Sequence, residues 1–217
     1  MPLSMVCFSF DDGPNAHENT TARLLDVLDK YDIKSMFALL GENAEEYPEL
    51  VRRIQDEGHC ILNHGYLDKF ANKMGDDEFK ENLVRGEEAI SSALGRQWSP
   101  LLYRPHGGFY NSKQEKIWQE AGYLMIPGNI RVYDTNTGKK NADKTVRKVI
   151  RKVKKQKGGI ILLHDSRGSG SRMEKELEKK PEGGWNRSWI PDAVEKIITG
   201  LLARGYVFGS PSSFIHI

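Results

Sequence analysis

Met5-Val6-Cys7-Phe8-Ser9-Phe10-Asp11-Asp12-Gly13-Pro14 decides how the rest of the chain is read. Met5 to Phe10 is an apolar run of strand length, and it stops abruptly at two adjacent carboxylates and a Gly-Pro turn. The next periodic stretch places Leu24, Leu25, Leu28 and Tyr31 on one helical face, which completes a strand-turn-helix unit. The unit recurs. Strands are expected over Lys34 to Leu40, residues 59–63, Leu101 to Tyr103, Tyr123 to Ile126, Ile130 to Tyr133, Ile160 to His164 and Tyr206 to Phe208. Between them, helical stripes run through Tyr47, Leu50, Val51 and Ile54, over Asp76 to Leu94 and over Ser112 to Ala121. Two more run through Val146, Val149, Ile150 and Val153, and through Val194, Ile197, Ile198, Leu201 and Leu202. Residues 166–188, rich in Gly, Ser and charge, read as one long irregular connection. About seven or eight β/α units with no dividing linker predict a single α/β domain over residues 1–217, a distorted, TIM-barrel-like (β/α) barrel.

Composition narrows the function. With 32 Lys and Arg against 30 Asp and Glu, the net charge of +2 gives no global reason to expect a nucleic-acid partner. No segment approaches the roughly 18–20 apolar residues that a membrane span requires. The two cysteines, Cys7 and Cys60, cannot build a disulfide framework or a four-cysteine zinc site, so a metal would have to rest on histidine and carboxylates. Arg147 to Lys157 is densely basic, but its Val/Ile stripe explains the other face, and a solvated helix is the expected outcome.

The informative polar residues sit at strand ends. Asp11, Asp12, His64, Arg104, Asp134 and His164 each close an expected strand, and in α/β barrels these ends converge on one face. Adjacent carboxylates suit two jobs, metal binding and proton transfer, although Asp-Asp-Gly-Pro alone is equally good turn chemistry. His64 and Asp68 are four residues apart, which would place both on one face of a helical turn.

Ser9-Phe10-Asp11-Asp12-Gly13-Pro14 resembles the first motif of the polysaccharide deacetylases, the NodB-homology domain of carbohydrate esterase family 4. Gly58 to His64 resembles the second motif, Tyr103-Arg104-Pro105-His106-Gly107-Gly108 with Asn111 the third, and Ile160 to Asp165 the last. They occur in family order and cover nearly the whole chain. The resemblance implies a distorted barrel that removes acetyl groups from N-acetylated or O-acetylated sugars of a polysaccharide such as peptidoglycan or chitin-like oligomers. It implies a divalent metal, usually zinc, with cobalt, nickel or manganese as substitutes, held by Asp12, His64 and the residue at position 68. Asp11 would be the base, Arg104 its partner, His164 the acid and Asp134 the support of His164. Gly107 would supply an oxyanion donor, and Tyr103 and His106 would lie at the substrate.

Three positions depart from the family pattern. The second motif usually ends in a histidine where this chain has Asp68, the third usually has proline where it has His106, and the fourth is reduced to Asp134 within Tyr133 to Gly138. With two carboxylate ligands the ion would be formally neutralised and would polarise a carbonyl less. Two alternatives therefore stand beside the deacetylase: a weak or inactive relative that only binds glycan, because the second ligand histidine is Asp68, and an amidohydrolase of small N-acylated molecules. Met1-Pro2-Leu3-Ser4-Met5 carries no basic region followed by a long apolar one, which fits a cytoplasmic start or an excised domain. The resemblance favours the second, acting outside the cytoplasm or at the cell envelope.

Overall fold

Short apolar strands flanked by amphipathic helices can bury both sheet faces only by pairing in parallel with the helices outside. The computed structural model, which describes residues 4–215, has this arrangement. Strands β1 (Met5–Gly13), β2 (Met36–Leu39), β3 (Cys60–Asn63), β4 (Leu102–Tyr103), β5 (Leu124–Met125), β6 (Ile130–Arg131), β7 (Gly159–His164) and β8 (Val207–Phe208) form one sheet. The order is β5-β4-β3-β2-β1-β7-β6, every pairing is parallel, and β8 joins the start of β1. Edge strands β5 and β6 are two residues each and do not pair with each other among the described residues, so the expected barrel is a curled sheet left open at that seam.

Helices α1 (Thr20–Lys30), α2 (Gly41–Glu46), α3 (Pro48–Asp56), α4 (Asp76–Leu94), α5 (Ser112–Glu120), α6 (Ala142–Gln156), α7 (Gly170–Lys179) and α8 (Ile190–Leu202) accompany the sheet. Leu24, Leu25 and Leu28 of α1 and Val194, Ile197 and Ile198 of α8 are fully buried, each worth about 1.5–3 kcal/mol as area removed from water. β1 is the central element: all its residues after Met5 are buried, and Phe8, Phe10 and Phe37 stack along the interior. Helix α7 lies inside the stretch read as an irregular connection. Its Glu and Lys residues favour helix, but among the described residues Met173 is its one buried anchor, too little apolar periodicity to announce it.

β1 ends in the feature that builds the site. In a regular strand Asp11 and Asp12 would point to opposite faces. Here the register against β2 slips between Asp11, opposite Ala38, and Gly13, opposite Leu39. Asp12 occupies the bulge with φ +70°, a conformation that L residues rarely adopt, and both carboxylates line the same cavity. Asn43 of α2 donates to the Asp12 carbonyl at 2.7 Å and holds the turn. Gly13 must be glycine because a Cβ there would lie 2.6 Å from the Asp165 carboxylate.

Candidate active site and metal centre

The C-terminal strand ends enclose a cavity of about 480 Å³ lined by Asp11, Asp12, His64, Arg104, Asp134 and His164, the six residues singled out at strand ends. Arg104, just past β4, is buried. It donates to the Ile126 carbonyl at 3.0 Å and, through one terminal nitrogen, to Ser9 Oγ and Asp11 Oδ1. The other Asp11 oxygen, Oδ2, makes no hydrogen bond among the described residues and lies 3.8 Å from His64 Nε2.

Three donors converge next to it. His64 Nε2 and His106 Nδ1 each lie 3.4 Å from Asp12 Oδ1. Candidate ligand atoms of Asp12, His64 and His106 all fall within 4.8 Å of one another. The far nitrogens of both rings are fixed: His64 Nδ1 is 2.7 Å from the Arg104 carbonyl, and His106 Nε2 is 2.9 Å from Asp68 Oδ1. Asp12 Oδ1 and His106 Nδ1 are buried without a hydrogen-bond partner, an expensive arrangement unless a cation sits between them. Burial would raise the Asp12 carboxyl, but the His106 and His64 rings beside it hold it well below the usual range. Burial opposes charge on His106, yet Asp12 and Asp68 on either side push it up to about 10. One carboxylate and two imidazoles with tethered far nitrogens are a donor set that suits a divalent ion.

This trio differs from the one expected from the sequence. Asp68 stands behind His106 rather than beside Asp12, and its second oxygen is held by Arg172 at 3.1 Å. His106, expected at the substrate, takes the third place in the trio. Tyr103, also expected there, is only 2 % exposed and packs with Phe79, Trp118 and Tyr123 in the core. A two-residue strand carries too little alternation to reveal that parity. Gly107 lines the cavity with φ +73°, and a Cβ there would strike the Phe70 ring at 2.2 Å.

At the end of β7, His164 Nδ1 is 3.0 Å from Asp134 Oδ1, while the His164 backbone N–H donates to Asp134 Oδ2, also at 3.0 Å. Burial would lower His164, but Asp134 above all, with Asp12 and Asp11, raises it to about 9. Asp134 is in turn held by Arg187, a fully buried guanidinium that binds its Oδ2, its carbonyl at 3.0 Å and the His164 carbonyl at 3.1 Å. Sequence reasoning missed Arg187, which closes no strand and belongs to no motif.

A family model described as polysaccharide deacetylase matches residues 1–126. Across 96% of its length the chain is 30% identical to a peptidoglycan-N-acetylglucosamine deacetylase of Bacillus cereus, covering 68% of that protein. The chain belongs to the polysaccharide deacetylase family, hydrolases of amide or ester bonds. Its fold matches the crystal structure of a peptidoglycan N-acetylglucosamine deacetylase bound to 4-naphthalen-1-yl-N-oxidanyl-benzamide, with a TM-score of 0.79, 29% identity, and coverage of 99% of this chain and 89% of the other. It also matches a family 4 acetyl xylan esterase from Clostridium thermocellum in complex with a cobalt ion, with a TM-score of 0.75, 26% identity, and coverage of 97% and 89%.

Proposed function

We propose that this chain is a metal-dependent deacetylase that hydrolyses the acetamide of an N-acetylated sugar in a cell-envelope polysaccharide such as peptidoglycan, outside the cytoplasm. The observation that carries the proposal is one cavity holding a carboxylate with a free oxygen, an imidazole backed by a buried carboxylate, and a carboxylate–imidazole–imidazole trio with orphaned donor atoms. The similarity to peptidoglycan deacetylases supports the substrate class.

Asp12, His64 and His106 would hold the ion, and zinc suits that donor set best, with cobalt, nickel and manganese as substitutes. When bound, a divalent ion polarises an acyl oxygen and makes a water more acidic. The remaining work belongs to the side chains. Asp11 Oδ2 accepts the proton of the attacking water, and Arg104 fixes the carboxylate by its other oxygen. His164 donates a proton from Nε2 to the leaving nitrogen as the C–N bond breaks, and Asp134 holds the opposite ring nitrogen. The water's hydroxyl ends on the acetyl carbon, so the products are acetate and a free amine. The Gly107 N–H is assigned to the developing oxyanion, next to the trio.

Asp68 is assigned a supporting role: it accepts the hydrogen bond of His106 Nε2–H, so that with an ion bound the Nδ1 lone pair would be turned toward it. The case for an inactive glycan binder rested on the missing histidine at position 68 and on the reduced fourth motif. His106 in the trio speaks against the first reason, since an ion held by Asp12, His64 and His106 would keep one net positive charge.

The test is acetate release from peptidoglycan, chitin oligomers and acetylated xylan by protein loaded with zinc, cobalt, nickel or manganese. Release that depends on the ion and is strongest on an amino-sugar polymer is expected. No acetate with any ion would overturn the proposal.

A further inference from the structure

Of the lysines and arginines lining the cavity, Lys73, Arg131 and Arg167 have no ion-pair partner among the described residues, and the others are committed. Arg104 is paired with Asp11, Lys69 with Glu78 and Arg172 with Asp68, while Arg167 spends a terminal nitrogen on the Thr135 carbonyl and its face on Trp185. Arg131 differs. It stands at the end of β6, on the open seam of the sheet, and its Nε donates to the Gly128 carbonyl at 3.0 Å, which fixes the stem. Among the described residues, Arg131 is the cavity-lining arginine whose two terminal nitrogens both lack a partner.

Its position is built rather than incidental. The guanidinium lies against Gly108, where a Cβ would come within 2.8 Å of Nη1 and 2.9 Å of Nη2. Gly108, at φ +73°, is two residues from His106, so glycine is what lets a planar fork lie against the loop that carries part of the trio. Two exposed aromatic rings belong to the same cavity wall: Phe109 is 61% exposed and Tyr133 66%. Rings offer flat apolar faces to a sugar, and a free guanidinium fork matches a carboxylate with two parallel hydrogen bonds.

We propose that Arg131, flanked by Phe109 and Tyr133, is a subsite for a sugar bearing a carboxylate, adjacent to the acetamido sugar that is cleaved. The substrate is then an anionic glycan rather than a neutral one. This rests on the deacetylase reading and deepens it by naming the charge of the neighbouring unit. The fork's contribution is to the binding and register of that neighbouring unit.

The probe is a tetrasaccharide alternating N-acetylglucosamine with its 3-O-lactyl ether, compared as the free acid and as the methyl ester, which keeps the shape and removes the charge. Binding is measured by calorimetry on zinc-loaded Asp11→Asn protein, and acetate release separately on the wild type. The free acid should bind about tenfold more tightly than the ester at low salt, with the advantage shrinking as ionic strength rises. In an added Arg131→Gln change the acid-to-ester ratio should fall toward one, and Arg131→Lys should lie between, because it keeps the charge and loses the fork. Circular dichroism melts check that both variants fold. Equal affinities for acid and ester in the parent would overturn the subsite, as would a preference that survives Arg131→Gln. A clear acid preference with no acetate released from any substrate would instead overturn the deacetylase reading and leave the subsite standing.

Discussion

Asp11 with Arg104 and Asp134 with Arg187 are both buried carboxylate–arginine pairs at strand ends, yet they are spent differently. Asp11 gives one oxygen to its arginine and keeps the other free on the cavity side. Asp134 has no free oxygen: Oδ1 faces the His164 ring, while Oδ2 accepts from the His164 backbone and from Arg187. A carboxylate with a free oxygen can take a proton, whereas a saturated one can only orient and stabilise a neighbour's charge. The same pairing therefore yields a candidate base at one site and a support for the candidate acid at the other.

The strongest way to break this comparison is Asp11→Asn. It replaces the free oxygen by an amide N–H₂ while Oδ1 still accepts from Arg104. Acetate release should fall by about 10²–10⁴-fold, with the melting temperature close to the parent's. A large loss of stability would show that Asp11, like Asp134, is structural.

Asp134→Asn should behave in the opposite manner and lose both properties. Three donors converge on this carboxylate, so an amide must turn an N–H₂ toward one of them and leaves Arg187 without its counter-charge; about 3 kcal/mol of stability is at stake. Activity should fall by about 10²-fold at its optimum, and its alkaline limit should move. Asp134 raises His164 to about 9, so the protonated, donating form persists through neutral pH. Without that carboxylate the imidazole titrates nearer its ordinary value of about 6.5, and the rate should decline from lower pH. The stability tied to His164 is fully present below about 6.5 and is lost as pH rises through about 9 in the parent, a dependence the variant should lack.

The contrast also explains what could be read from the chain. Asp11, Asp12, His64, Arg104, Asp134 and His164 were legible because each follows a short apolar strand, and parallel strands deliver their ends to one face whatever the details of packing. The exchange between Asp68 and His106 was not. Neither lies on a strand or a periodic helix, so nothing local says which of them faces Asp12, and the Arg172 contact to Asp68 comes from α7, a helix the composition of residues 166–188 concealed. Arg187 was hidden for a similar reason: it meets Asp134 across 53 positions, and nothing local marks it as buried.

Asp68→Ala tests the loop assignment with a smaller effect. Loss of an outer carboxylate typically weakens metal binding about 10–100-fold, so zinc affinity, measured by competition with a chromogenic chelator, should drop by that order. His106→Ala should cost more, because it removes a donor of the trio itself. An unchanged affinity in His106→Ala, with Asp68→Ala strongly impaired, would return position 68 to the ligand set.

The smallest expected effect concerns a carboxylate with no arginine at all. Asp165 follows His164, is fully buried, accepts from Thr21 Oγ1 and has an unpartnered Oδ1. Burial, above all, pushes its carboxyl up to about 7, against the lowering effect of the Thr21 hydrogen bond. Its folded form therefore holds a proton that the unfolded chain releases near 3.9, and stability drains away as pH rises from there through about 7. Asp165→Asn has the shape of the protonated acid and keeps a donor at the Oδ1 position without the titration. Metal-free parent and variant should differ less at pH 5 than at pH 8, where the variant should melt higher by several degrees. A gap that closes with rising pH would mean that Asp165 is held ionised despite its burial.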